Sequence, residues 1–320
     1  MLRNCRRALA ALVIALTAFL VYAPSITNDN YFSGDDFGLI HTLHDKPLGF
    51  FLTCFYGDWT GGLYGNTLDE LRPWLAFSYK LDSDLWGGSN PWGFHLSNVL
   101  LHVLCSLLVF GTVRALSDGL TGVGLLAGLF FAVAPCHAEP VIWISGRVDS
   151  IAGVFYLSAF LFFVLFRARR SWWYYGLSLA AFTLGLFAKQ SLIPLPFLLL
   201  AYDVCYGHGR RAGGLAARHA PFMVVLFLYL FLRYVTFGHA VREDTMEALF
   251  VWYFSTRQVF YLQALLLPSS LLHYGWFTQA LLAALVTGVL GTRLIGLWRD
   301  RRARGEALRH VFFSGWCGMA

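Results

Sequence analysis

Charge is what this sequence has least of. Asp, Glu, Lys and Arg supply 13% of its 320 residues and hydrophobic residues supply 58%, with a mean hydropathy of +0.59. A chain so apolar does not stay soluble as one globular domain, and its apolar residues come in long runs, so it reads as a multi-pass membrane protein. It also lacks an internal repeat, a low-complexity tract and a glycine-rich nucleotide loop after a strand, which removes solenoid and nucleotide-fold readings. Six cysteines are present, but no pair has metal-ligand spacing. Cys5, Cys105, Cys205 and Cys317 fall in helices or near the inner side, whereas Cys54 and Cys136 could both reach the outer side and there form a disulfide. The formal charge of +6 is scattered in short basic groups between apolar runs. That is the distribution of topology signals, and nucleic acid is not an expected partner.

Arg3, Arg6 and Arg7 precede an apolar run from Ala8 to Ala23. Its length suits a signal peptide, but Pro24 directly after it opposes cleavage, and the run is read as the first transmembrane helix. Pro24 to Trp92 is a polar loop rich in Gly, Asp and aromatics. Further spans are expected at Gly93 to Leu116, Leu120 to Cys136, Ser150 to Phe166, Trp172 to Ala188, Leu192 to Tyr206, Pro221 to Phe237 and Phe277 to Trp298. If the spans alternate, the groups at Arg3 to Arg7, Arg114, Arg167 to Arg170, Arg210 to Arg218 and Arg299 to Arg309 share one side, which is then cytoplasmic. Thr245 to Leu267 is apolar enough to cross, but counting it would misplace the last arginine group. It is therefore read as lying along the outer interface or re-entering, within an outer interfacial segment of about residues 245–275. Val311 to Ala320 reads like the opening of a further apolar segment that stops short, as in a truncated chain. The expectation is a single all-α polytopic membrane core over residues 1–320, with a long first external loop, about residues 24–92, carrying short interfacial helices.

Most ionisable groups near a span, apart from the cytoplasmic clusters, sit at its outer end. The first loop brings Asp35, Asp36 and Arg72; later outer ends bring His95, His137, Glu139, Arg147, Asp149, Lys189, Arg233, Arg242 and Arg257. Charge at a bilayer costs roughly 2.5–3.5 kcal/mol or more, so such groups are paired or functional. Their convergence points to one outward-facing site. The adjacent carboxylates Asp35 and Asp36 are poor anchors and cannot help a lipid-facing helix. In Asn90 to His102, Pro91 suits a helix start, and His95, Asn98 and His102 share one helical face. That polar stripe must face protein or water, and His102, deeper in the span, suits helix-to-helix hydrogen bonding. His137 and Glu139, two apart, offer two metal ligands but not a site. Arg147 and Asp149, also two apart at a helix start, do not face one another and are expected to pair with other elements.

Taken in order, these residues resemble a known family. Gly34-Asp35-Asp36-Phe37, Arg72-Pro73, Asn90-Pro91 with Phe94-His95-Leu96-Ser97-Asn98, and Leu101-His102 are similar to the N-terminal membrane core of the transmembrane O-mannosyltransferases with tetratricopeptide repeats and their prokaryotic relatives. The likeness continues through Ala134-Pro135-Cys136-His137-Ala138-Glu139-Pro140-Val141, Gly146-Arg147-Val148-Asp149, Phe187-Ala188-Lys189-Gln190, Arg233 before Gly238, and Arg257 to Tyr261 before Pro268. Three departures are visible: Gln190 stands where relatives usually have Glu, Cys136 interrupts a His-Pro-x-His spacing, and no repeat domain follows.

The resemblance implies a GT-C-type helix bundle and a glycosyltransferase that moves a mannose-like sugar from a polyprenyl-phosphate donor to a hydroxyl acceptor on the non-cytoplasmic side, with inversion. It places the catalytic carboxylate on Asp35 or Asp36. A donor phosphate approaching an acidic region needs cations, for which Arg233, Lys189, Arg147 and Arg257 are the candidates. Arg72, His95, Asn98, His137, Glu139 and Asp149 are candidates for substrate binding or structural support. The pattern makes no cofactor certain, and a divalent metal, Mg or Mn, is left open. The alternatives are a glycolipid transporter or flippase and a catalytically silent membrane scaffold. The brief Arg-rich loops favour a bacterial inner membrane, with the endoplasmic reticulum membrane as the eukaryotic counterpart.

Overall fold

The computed structural model describes residues 2–27, 34–65, 68–206 and 212–240. Nearly all of them belong to one compact unit, Met1–Val133 with His137–Ala240, while Ala134–Cys136 belong to a second. Every regular element among the described residues is helical: the molecule is an all-α membrane bundle. The chain opens with α1 (Leu2–Tyr22) and a short α2 (Pro24–Thr27), and the first loop holds α3 (Asp36–His44), α4 (Leu48–Thr53) and α5 (Pro73–Trp86). Then come α6 (Pro91–Leu116), α7 (Thr121–Val133), α8 (Ala138–Ile142), α9 (Arg147–Arg169), α10 (Trp172–Leu186), α11 (Leu195–Tyr206) and α12 (Ala212–Phe237).

Four helices, α1, α6, α9 and α12, are long and apolar enough to cross a membrane, and α7 with the segment through α8, bent by 52°, makes a fifth if counted as one broken span. The helices α10 and α11 have 15 and 12 residues, short of the about 20 that cross a hydrocarbon core unaided. All seven spans expected before residue 240 are helical, though with shifted ends. The expected span Phe277 to Trp298, the interfacial segment 245–275 and the tail 311–320 lie outside the described residues.

The sequence pattern explains the burial. On α12, Phe222, Leu226, Tyr229 and Arg233 are buried while Val224, Phe227, Leu228, Phe231 and Val235 are exposed. The buried set recurs at helical spacing, so one stripe faces protein and the apolar remainder is left for lipid. Pro91 occupies the first turn of α6, where its missing N–H is not needed, and the Asn90 side chain accepts from Trp92 N at 3.4 Å. On α1, Ala10 and Ile14 pack with Phe110 of α6, and Tyr22 packs with Val99 and Val141; α1 is an integral part of the bundle. A second core cluster joins Cys105 and Val109 of α6, Phe131 of α7 and Leu157 of α9.

One expectation is corrected, and one possibility is closed. The last described helix begins at Ala212, with Pro221 inside it, because the preceding residues include Arg218 and His219, which find a partner in Asp203 of α11. Cys54 and Cys136 form no disulfide; Cys54 is a buried free thiol and Cys136 an exposed one.

The ion pairs show that the helices alternate. Asp203 near the end of α11 binds Arg167 near the end of α9 and Arg218 near the start of α12. At the other end, Lys189 before α11 meets Asp149 at the start of α9, and Arg233 near the end of α12 reaches the first loop at Asp69. The bundle therefore has an arginine end and an opposite end that receives the first loop.

Candidate active site

The acid pair opens α3, and its two members are placed differently. Asp36 is 1% exposed, whereas Asp35 is exposed to solvent. One oxygen of Asp36, Oδ1, accepts from the backbone N–H of Ser145 at 2.9 Å and from the Ser145 hydroxyl. The Tyr79 hydroxyl on α5 donates to Ser145 Oγ at 3.0 Å. A serine has a single hydroxyl proton, so accepting from Tyr79 leaves that proton for Asp36. Three elements, α3, α5 and the turn before α9, are thereby joined through one carboxylate. That turn needs Gly146: a Cβ there would come within 2.7 Å of Glu139 O and 3.0 Å of Pro140 Cα.

Beneath this lies a buried ion pair. Arg147, 1% exposed, meets Asp82 of α5 at 2.5 Å. Its remaining groups donate to Phe94 O at 2.9 Å and Ile144 O at 3.3 Å, and its guanidinium lies over the rings of Tyr79 and Phe94. Ser97 donates to the other oxygen of Asp82 at 2.7 Å. A buried charge pair holds only when its remaining hydrogen-bonding capacity is filled in this way. Arg147 therefore pairs across to another element, as its position at the helix start implied. Asn98 lies on the same side and donates to Trp143 O at 2.9 Å and to Val141 O at 3.3 Å, tying α6 to the α8 turn. His95 is buried where the charges of Asp36 and Arg147 both act on it. His102, deeper along the stripe, meets Ala132 O on α7 at 3.1 Å, the interhelical role expected of it.

Two other cations stand at this end. Lys189 pairs with Asp149, the side chains being 32% and 49% exposed. Arg233, 1% exposed, donates through Nε to Ala240 O at 2.9 Å and through Nη2 to Asp69 O at 3.0 Å. With its amide oxygen turned toward the guanidinium, Gln190 accepts from Nη1 at 2.7 Å and Nη2 at 3.2 Å. All of these acceptors are neutral, and among the described residues no carboxylate pairs with Arg233. Arg72 is bound to Glu70 at 2.7 Å and lies over the Trp59 ring. His137 packs against Phe131, and Glu139 is exposed on α8. Arg242 and Arg257 lie outside the described residues.

Several residues of this site were not singled out from the sequence. Tyr79 and Asp82, three apart on α5, share a face, and Ser145 directly precedes the Gly146-Arg147 pair; that spacing was the available signal. Tyr64 is a further one. Burial and its interaction with the Asp35 carboxylate, with Asp36 adding to the field, push its hydroxyl up to about 12. As for the divalent metal left open above, among the described residues no three His, Cys, Asp or Glu side chains come together to hold an ion.

Residues 73–238 match the family model described as dolichyl-phosphate-mannose-protein mannosyltransferase; the match takes in Asp82, Arg147, Lys189 and Arg233 and begins after the acid pair. The chain is 32% identical over 212 residues to protein O-mannosyl-transferase TMTC2 of Mus musculus, covering 62% of this chain and 24% of that protein. It is 37% identical over 140 residues to protein O-mannosyl-transferase Tmtc1 of Drosophila melanogaster, 44% of this chain and 16% of that one. With protein O-mannosyl-transferase TMTC4 of Homo sapiens the identity is 34% over 170 residues, 48% and 22% of the two chains. The aligned region thus spans about a quarter or less of the length of these relatives. No solved structure matches. With more than half of its length under that model, this chain belongs to the dolichyl-phosphate-mannose-protein mannosyltransferase family, among the GT-C glycosyltransferases.

Proposed function

We propose that the protein transfers a mannose-like sugar from a polyprenyl-phosphate donor to a hydroxyl acceptor on the non-cytoplasmic side of the membrane, with Asp35 as general base. The observation that carries this reading is the unequal placement of the acid pair: Asp36 is buried and held by Ser145, while Asp35 is left exposed beside Tyr64. A carboxylate pinned by two donors suits orientation, and an exposed one suits meeting an acceptor. In the reaction the acceptor oxygen attacks the anomeric carbon as its proton passes to Asp35. The bond from that carbon to the phosphate oxygen breaks, and polyprenyl phosphate leaves with inverted stereochemistry at the sugar.

The departing phosphate needs positive charge. Lys189 and Arg233 are assigned this task, and the magnitudes separate them from Arg147. A half-exposed pair such as Lys189–Asp149 contributes about 0–1 kcal/mol and exchanges readily for a phosphate. Among the described residues Arg233 has only neutral acceptors, which leaves its charge for the phosphate. Arg147 would have to abandon Asp82, at roughly 3–5 kcal/mol for breaking a buried pair, and is assigned to support of the site instead. Arg257 retains its candidacy for the phosphate on sequence grounds. Arg72, His95, Asn98, His137, Glu139 and Asp149 are read as shaping the site. A bacterial inner membrane is the setting that the short arginine-rich connections favour.

The test is transfer of sugar from a defined polyprenyl-phosphate mannose by purified, inserted variants. Asp35→Asn is expected to lower transfer by about 10²–10⁴-fold, the range of general-base catalysis. Asp36→Asn keeps an acceptor oxygen for Ser145 and is expected to fall less. Undiminished transfer by both variants would sink the assignment.

A further inference from the structure

The second charged region lies at the far end of the bundle. Arg114 stands on α6, 19 residues past His95, about 28 Å along the helix axis. Both α1, which carries Arg7, and α9, whose last turn carries Arg169, pack against α6. The charges that act on Arg114 are those of Arg7 and Arg169. Nearby at this end, Arg167, Arg218 and His219 are all answered by Asp203. Among the described residues, no carboxylate answers Arg7, Arg114 or Arg169.

The Nε of Arg114 is buried with no hydrogen-bond partner. Its stem is covered by α7: a Cβ at Gly124 would meet Arg114 Cβ at 3.0 Å and Phe110 O at 2.9 Å. Arg169 is held in place by the Tyr174 hydroxyl and lies over that ring at 5.3 Å. Three guanidiniums gathered without a counter-charge repel one another, and an unmet buried donor adds to the cost. One phosphate would answer both, because guanidinium forks match phosphate oxygens.

We propose that Arg7, Arg114 and Arg169 form a binding site for the phosphate of an anionic phospholipid headgroup. The three arginines close the ends of membrane-spanning helices, at headgroup depth, on the face that the positive-inside rule assigns to the cytoplasm. Leu9 and Leu12 of α1 and Val123 and Leu126 of α7 are exposed along the same end of the bundle, and they supply an apolar surface for the acyl chains. A soluble phosphate ester has no use for that surface.

The full chain, reconstituted into phosphatidylcholine nanodiscs with a minority of phosphatidylglycerol, is released gently and weighed by native mass spectrometry. Phosphatidylglycerol is expected to be retained in preference to phosphatidylcholine. Arg114→Gln is expected to weaken that retention about fivefold, with Arg7→Gln as the substitute if the first variant does not fold. Arg6→Gln removes the same charge from an exposed neighbouring position and is expected to change nothing. Equal retention of the two lipids, or equal losses from Arg6→Gln and the cluster variant, would overturn the site. Displacement of the lipid by glycerol phosphate would overturn the assignment to a lipid.

Discussion

At the end that receives the first loop, each buried charge has its own arrangement of partners: Arg147 has Asp82, Phe94 O and Ile144 O, and Asp36 has Ser145 twice over. At the arginine end one carboxylate, Asp203, serves Arg167, Arg218 and His219, and among the described residues no carboxylate pairs with another group of arginines. The difference follows from what each end has to do. Cations near the end of a long helix can extend toward headgroups and water, so exact pairing is not required of them. A buried carboxylate has no such recourse to solvent and must have its hydrogen bonds supplied by the protein. The first loop is the element that makes this possible, since Asp36, Tyr79 and Asp82 all come from it, while Ser145 and Arg147 come from the turn that opens α9.

The widest test of the contrast removes the carboxylate from each end. Asp82→Ala leaves the Arg147 charge buried with no counter-ion, and a loss of about 3–5 kcal/mol of stability is expected. Asp203→Ala strands two arginines and a histidine, but their side chains are 14%, 11% and 8% exposed and can reach outward, so a smaller loss, on the order of 1–3 kcal/mol, is expected. Thermal unfolding in mild detergent compares the two. Equal losses would mean that the ends treat buried charge alike, and the contrast would fail. Replacing both members of the first pair, Asp82→Leu with Arg147→Leu, is expected to recover much of the loss, because no unpaired charge remains.

The helices of this bundle were largely legible in the sequence, because apolar runs and proline positions report directly on what lipid and helix starts demand. The polar stripe of His95, Asn98 and His102 was legible for the same reason: a helix in lipid must turn such residues inward, and all three are buried. The start of α12 was not, since Pro221 marks where the apolar run begins, whereas the helix begins where Arg218 and His219 gain a partner that is distant in sequence. The acid pair was visible as an oddity, but the support beneath it was not. Ser145 and Tyr79 are ordinary residues until the fold brings together positions separated by 66 residues. No local spacing encodes that contact.

A finer test lies inside the acidic end. If Asp36 acts through its orientation, Ser145 and Tyr79 are positioning residues, and their removal should lower turnover without changing donor affinity. Ser145→Ala deletes one of the two donors to Asp36 and leaves the backbone N–H. Tyr79→Phe deletes only the group that directs the serine proton. Each lost hydrogen bond is expected to cost about 0.5–1.5 kcal/mol of stability. Separate measurement of kcat and of KM for the donor shows whether the effect lies in orientation, and Ser145→Thr, which keeps the hydroxyl, should restore turnover. A rise in KM alone, or no change in kcat, would reduce these residues to scaffolding and leave Asp36 without its proposed support.

The mildest comparison uses cysteine, because it changes neither end. Cys54, in the first loop beside α4, is buried and donates to Phe50 O at 3.5 Å; burial, with the Asp58 carboxylate adding to it, pushes its thiol up to about 12. Cys205 at the arginine end is exposed. Only the thiolate is nucleophilic, and a rise of this size leaves about a thousandfold less of it at a given pH than an ordinary thiol has. Maleimide or iodoacetamide labelling of the folded protein at mildly alkaline pH, read by peptide mass spectrometry, should therefore modify Cys205 promptly and Cys54 only after unfolding. The direction with pH follows from the sign of the shift: raising the pH by a unit or two leaves Cys54 still protonated and unmodified in the folded protein. Prompt labelling of Cys54 in the folded protein would mean that the first loop opens freely. In that case Asp36 would not be held against Ser145 for long enough to orient anything.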